Sequence, residues 1–228
     1  MFDNIKKFVR EEKIIFSIFV FSIFFSFFYI FTNRYDELFV FWKELMDFLY
    51  WISLSLIAAI IFYIFQVYIP KNLKSKKIIN NFKENYKYFK LDSIQIFLFV
   101  LKDFTKKSED LINVKDFRNY FNDNNWRKLI NEIDDNNELF NDLLFQIELL
   151  HKKINLLLLS IDLPNDVFDF FHRLDNNLYK LKYIKKENDR YQNEYKLFWI
   201  TLKEIFSWYS IVTWNSDIDF IEKNLNNI

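Results

Sequence analysis

Residues 14–31 read IIFSIFVFSIFFSFFYIF, and residues 48–69 read FLYWISLSLIAAIIFYIFQVYI. These two stretches decide the fold. Neither contains a charged residue. The first interrupts its apolar run at Ser17, Ser22 and Ser26; the second does so at Ser53, Ser55 and Gln66, beside tyrosine hydroxyls. A helix rises about 1.5 Å per residue, so the stretches reach roughly 27 and 33 Å. The hydrocarbon core of a bilayer is about 30 Å thick. Lipid offers no hydrogen bonds to a backbone amide, so a segment within it must satisfy its own, as a helix does. The expectation is a two-helix transmembrane hairpin over residues 1–70. Its spans are 14–31 and 48–69, and a short external link at 32–47 joins them.

Composition narrows the remainder. The chain has 228 residues, with 31 basic and 31 acidic side chains and a formal net charge of zero. Such a balance does not suit a bulk polyanion binder. There is no glycine. Dinucleotide fingerprints, phosphate loops, EF-hand loops and nucleophile elbows all need glycine where backbone meets ligand or φ turns positive. None of them is present in its usual form. Tight β-hairpins also rely on glycine, whereas long helices need little of it, so the fold is expected to be all-α. The absence of cysteine excludes disulfide frameworks, thiolate zinc sites and cysteine nucleophiles. A composition rich in Phe, Ile, Lys and Asn suggests AT-biased coding and a bacterial source.

Orientation follows from the basic residues. Lys6, Lys7, Arg10 and Lys13 precede the first span, while the link holds Arg34 and Lys43. After Pro70 come Lys71, Lys74, Lys76, Lys77, Lys83, Lys87 and Lys90. Positive flanks stay cytoplasmic, so both termini are expected inside and the link outside, in a bacterial inner membrane. Tyr29, Tyr35, Trp42, Tyr50, Trp51 and Tyr68 fall near the headgroup levels, as an aromatic belt does. The first apolar run exceeds a signal-peptide h-region of about 7–15 residues and lacks a small-x-small cleavage site, so it reads as a retained span.

Small residues recur within the spans. Ser22 and Ser26 share one helical face at i, i+4, and Ser55 and Ala59 share another beside Ala58. Small side chains let helix backbones approach, so these faces read as helix contacts. The alternative is a pore in an oligomer, lined by Ser22, Ser26 and Ser55. Residues 71–90 form a basic juxtamembrane helix, with Phe82, Tyr86, Tyr88 and Phe89 among the lysines. Anionic lipid and topology account for such a stretch; a nucleic-acid surface is the rival.

Residues 91–228 read as a cytoplasmic α-helical bundle. Leu91 to Phe104 is too short to span and too apolar to be exposed. Val114 to Ile133 divides near Asn122–Asn125. Leu139, Leu143, Ile147, Leu150, Ile154, Leu157 and Ile161 step by fours and threes. Val167 to Leu181 and Tyr191 to Val212 do the same, as in helices packed side by side. Pro164-Asn165-Asp166 starts the second of these three. Between the second and third, residues 185–194 permit either a turn or one continuous long helix. Ile218, Ile221 and Leu225 suggest a short last helix.

Chemistry is sparse. His172 shares a face with Asp169 and Asp175, and His151 lies on another helix, which gives no metal-ligand spacing. Glu132, Asp134, Asp135, Glu138 and Asp142 cluster at a turn, where Asp135 or Asn137 suits a helix cap. No metal, cofactor or catalytic constellation is expected. Trp199, Trp208 and Trp214 belong either to the core or to an exposed face that docks a partner or another copy.

In topology the chain resembles the two-span membrane effectors of bacterial anti-phage systems, including those paired with retrons or with cyclic-nucleotide signalling. The resemblance carries no motif and no residue. It implies a homo-oligomerising membrane protein held silent by a ligand or by a cytoplasmic protein or nucleic-acid-containing partner. On release the spans impair the membrane. The rival function is structural: a non-catalytic anchor or accessory subunit whose bundle docks a larger complex. An effector's spans are not exchangeable for an unrelated hairpin, whereas an anchor's are.

Overall fold

The computed structural model describes residues 8–32, 41–134, 136–181, 193–207 and 217–228. The fold is all-α. The chain forms two compact units, residues 1–76 and 77–228.

In the first unit, α1 (Lys13–Thr32) packs against α2 (Trp42–Tyr63). The packed face of α1 runs Ile15, Phe19, Ser22, Ser26, Tyr29, in steps of four and three, with Ser22 fully buried. On α2 the buried residues Met46, Ser53 and Ile60 lie seven apart, with half-buried Tyr50 and Ile57 between them. Seven-residue spacing of this kind is the pattern of knobs packed along the seam of a helix pair. The remaining apolar surface points outward. α1, and the helical run from Trp42 to Val100 that begins with α2, each hold a stretch long and apolar enough to cross a membrane. Little of either stretch is buried.

The sequence reading ends the second span at Pro70, yet the helix continues through it. Proline lacks an N–H and collides with the carbonyl four residues back, here that of Gln66. A π-helical turn over Ile64–Tyr68 stands at that place. Its wider winding relaxes the crowding, so α3 (Ile69–Val100) follows without a break.

The second unit takes in the rest of α3 from Lys77. Ile79, Phe82, Tyr86, Phe89, Ser93 and Phe97 are buried along one face of α3. The second unit therefore begins at residue 77, earlier than the expected bundle boundary at 91. The helix stops at Lys102, whose φ of 55° is left-handed. Asp103 N–H donates to the Leu98 carbonyl (3.1 Å), and Lys102 N–H to that of Phe99 (3.0 Å). This pair of bonds is a Schellman cap formed without glycine.

A 3₁₀ turn (Ser108–Leu111), α4 (Val114–Tyr120) and α5 (Asp123–Asp134) follow. Asn122 caps α5, its Oδ1 accepting the N–H groups of Asn124 and Asn125 at 3.1 Å each. α6 (Asn137–Ser160) and α7 (Asn165–Leu181) pack together across a short link. α6 is capped by Asn136, one residue from each expected cap; Asp135 lies outside the described residues. α8 (Asn193–Ser207) packs on α4 and α7, and α9 (Phe220–Asn226) packs on α7. Because α8 packs against α7, the two are separate helices and not one continuous helix; the connection between them, residues 182–192, lies outside the described residues.

Phe97 is the hub of this core. Its ring lies 5.4 Å from Phe206, 5.6 Å from Phe121, 5.8 Å from Trp126 and 6.3 Å from Phe117. Such ring pairs add about 0.5–1.5 kcal/mol each beyond area burial. They tie α3, α4, α5 and α8 together, while Phe82 meets Phe171 of α7 edge-on at 5.7 Å.

Candidate functional site

The hairpin keeps its polar atoms to itself. Ser17, Ser26, Ser53 and Ser55 each donate a hydroxyl to the carbonyl four residues back, at 2.8–2.9 Å. At one end the Tyr29 hydroxyl donates to Asp47 while its ring stacks on Tyr50 at 4.3 Å. At the other end Tyr68 donates to Glu11 Oε2 at 2.7 Å, and its ring meets Phe8 edge-on at 5.0 Å. Serines bonded in this way leave few hydroxyls for an ion path.

Of the expected contact residues, Ser22 is buried and Ser26 is half-buried inside the hairpin. Ser55 and Ala59 are exposed, so they take no part in the packing within the hairpin. Ser53 occupies the seam instead, two residues from Ser55 and so on the opposite side of the helix. The sequence reading pairs Ser55 with Ala59 because of their i, i+4 spacing beside Ala58. The seven-residue spacing of Met46, Ser53 and Ile60 was the signal that identifies the buried side.

The expected basic stretch divides in two. Lys71, Lys74, Lys76, Lys77 and Lys87 are exposed. Lys83 and Lys90 are not simple surface charges, which corrects the reading of all seven as juxtamembrane. Lys83 Nζ donates to Asn226 Oδ1 at 2.7 Å. Lys90 is 3% exposed and sits 2.9 Å from Asp219 Oδ2 and 3.6 Å from Glu222. The Tyr86 hydroxyl donates to the same Asp219 oxygen at 2.8 Å. Oδ1 of Asp219 caps α9 through the N–H groups of Ile221 (2.9 Å) and Glu222 (3.1 Å). A buried ammonium needs such partners, and α9 supplies them from 129 residues away. A cleft of about 380 Å³ opens beside this network, bordered by Lys83, Lys87, Asn113 and Glu222.

Trp199 is 5% exposed and meets Trp126 edge-on at 6.1 Å. It is a core residue, which corrects its reading as a docking residue. Its partner ring lies on α5, outside the reach of helix-period reasoning. Trp208 and Trp214 lie outside the described residues.

His151 and Asp175 approach from different helices, with Nε2 to Oδ1 at 3.3 Å and Asn155 Nδ2 donating to the same oxygen at 2.9 Å. Burial pushes the Asp175 carboxyl above its ordinary value, and His151 and then His172 oppose that shift. His172 stacks on Phe168 and pairs with Asn176. Its sequence neighbours Asp169 and Asp175 do not enclose an ion site with it. Among the described residues no group of three or more His, Asp or Glu side chains is placed to hold a metal. At the α3 cap, hydrogen bonds from Thr105 and then Tyr120 hold the Asp103 carboxyl down at about 2. Burial, followed by the hydrogen bond to Asp103 and then that residue's charge, pushes the Tyr120 hydroxyl up. These polar groups join helices; none presents a nucleophile beside a base. No family model, no curated protein and no solved structure matches the chain.

Proposed function

We propose that the chain is an integral membrane protein of the bacterial inner membrane, with both termini cytoplasmic, and that it works as a membrane effector without catalysis. The helical bundle binds a ligand or a partner. Its release lets copies assemble through the hairpin and disrupt the bilayer, in the manner of an anti-phage defence protein. The observation that carries this reading is the outward face of α2. Ser55, Ala58 and Ala59 are exposed there and unused within the hairpin. Small residues at such spacing let a second helix approach closely in lipid.

A specific observation favours the rival reading of a passive anchor. Both apolar stretches lack charge, whereas ion pathways usually carry ionisable residues.

Membrane potential after controlled induction separates the two. The effector reading expects dye-reported depolarisation and growth arrest from the full chain and none from a chain lacking residues 1–70. Ser55→Leu with Ala59→Leu abolishes the depolarisation while membrane insertion persists, because two bulky side chains block close approach. Exchange of the hairpin for an unrelated one abolishes it too. An unchanged phenotype after that exchange establishes the anchor.

A further inference from the structure

We propose that the outward face of α6 is a self-association surface that pairs antiparallel with α6 of a second copy. The surface lies wholly within the second unit, so the inference is independent of the membrane reading.

α6 carries apolar residues on two faces. One holds Leu143, Ile147, Leu150, Ile154 and Leu157, all buried in the core. The other holds Phe145, Leu149, Leu156 and Leu159, again in heptad steps around Lys152. Phe145 is 57% exposed, Leu156 50% and Leu159 86%. A helix in a solvated bundle needs only one such stripe. A second stripe of large side chains marks a surface that is covered by something.

The charges of α6 identify the occupant. Its first half carries Glu138, Asp142 and Glu148, and its second half carries Lys152 and Lys153. Parallel pairing of two copies would set like charges together. Antiparallel pairing sets each acidic half against a basic half, so the helix is complementary to itself about a twofold axis. A register centred near Leu150 places Phe145 against Leu156 of the second copy. The same register puts Glu148 beside that copy's Lys152. Within one copy Glu148, at the edge of the stripe, already pairs at 3.0 Å with Lys152 within it, so both side chains extend where the second helix arrives. Flanking charge pairs of this kind set orientation and partner in helix pairs.

The test uses the full chain in mild detergent, with Leu149→Cys as its single thiol, since the native chain has no cysteine. A short bis-maleimide is expected to link two copies. Leu156→Asp with Leu159→Asp abolishes the link while helicity is retained. Glu148→Lys alone or Lys152→Glu alone weakens self-association roughly tenfold, because each makes the stripe's edge a single sign. Mixing those two single variants restores the link between unlike copies, with the internal pair broken in both. A monomeric wild-type chain, a link that survives the double Asp substitution, or a mixture that fails to restore it each overturns the proposal. A double Asp variant that loses binding to vesicles or to another protein, beside an unlinked wild type, assigns the stripe to that other occupant instead.

Discussion

The two units are built from the same aromatic-rich residues and place them in opposite ways. On α1, Phe21, Phe24, Phe27 and Phe31 are at least 60% exposed. In the second unit Phe97, Phe117, Phe171 and Phe198 are at most 1% exposed. Polar atoms divide in the same way. Ser17, Ser26, Ser53 and Ser55 bond to their own helix four residues back, and tyrosines bond across the hairpin at its ends, whereas Tyr86 and Lys90 reach Asp219 across 133 and 129 positions. Local satisfaction suits a helix in an apolar solvent, where no water compensates for a missing partner. Distant satisfaction suits a bundle whose interior must exclude alternative packings. Phenylalanine content says nothing about which regime applies; the spacing of the polar residues around it does.

Removing one phenylalanine from each unit gives the largest expected difference. Phe97→Ala empties the hub between Phe121, Trp126 and Phe206 and is expected to cost about 4 kcal/mol. Phe24→Ala, outward on α1, is expected to stay within about 0.5 kcal/mol. Thermal unfolding of the full chain in mild detergent, followed by near-ultraviolet circular dichroism, measures both. Equal losses would mean that the outward face of α1 is packed, and the contrast would fall.

Polar groups give the next largest effect. Asp219→Ala strips Lys90 of its nearest counter-ion, Tyr86 of its acceptor and α9 of its cap. About 3 kcal/mol is expected, because the ammonium is left buried with only Glu222 nearby. Ser53→Ala removes one local bond in the hairpin seam and is expected to cost under about 1 kcal/mol. Urea titration of both variants, read by tryptophan fluorescence, checks the order. A larger loss for Ser53→Ala would show the hairpin to depend on specific polar contacts after all.

Regular spacing made the helices legible. The fours and threes of Leu143, Ile147, Leu150, Ile154 and Leu157 are the buried face of α6, and Pro164-Asn165-Asp166 does open α7. Contacts between elements distant in sequence were not legible. Lys90 counts as one more lysine of a basic run until α9 returns Asp219 to it. Trp199 is open to a core or a docking reading until Trp126 is found beside it. The second apolar stripe of α6 was present in the spacing of Phe145, Leu149, Leu156 and Leu159, but the core stripe on the same helix masked it. At Pro70 a π turn absorbs the clash that would otherwise end the helix, and periodicity cannot register a single wider turn.

The chain has no glycine, so left-handed turns fall to residues with full side chains. Each unit contains a described left-handed residue with a full side chain, Phe41 at φ 75° before α2 and Lys102 at φ 55° after α3. An L-residue held there costs about 1–2 kcal/mol. Glycine relieves that cost but gives back about 0.5–1 kcal/mol through its greater freedom in the unfolded chain. Lys102 is exposed and ends a complete Schellman cap, so its side chain is not needed for packing. Lys102→Gly is therefore expected to stabilise the second unit by about 0.5–1 kcal/mol, seen as a higher urea midpoint with an unchanged slope. Phe41 differs because its ring, 71% exposed, lies beside the start of a candidate span, where the proposed membrane placement would give an aromatic side chain an interfacial role. The same change there relieves the backbone and loses the ring, so Phe41→Gly is expected to bring no gain for the chain in lipid. A gain at Phe41 matching that at Lys102 would make the two turns equivalent and remove the interfacial role from Phe41. A loss at Lys102 would mean that its left-handed turn is held by contacts of the lysine itself.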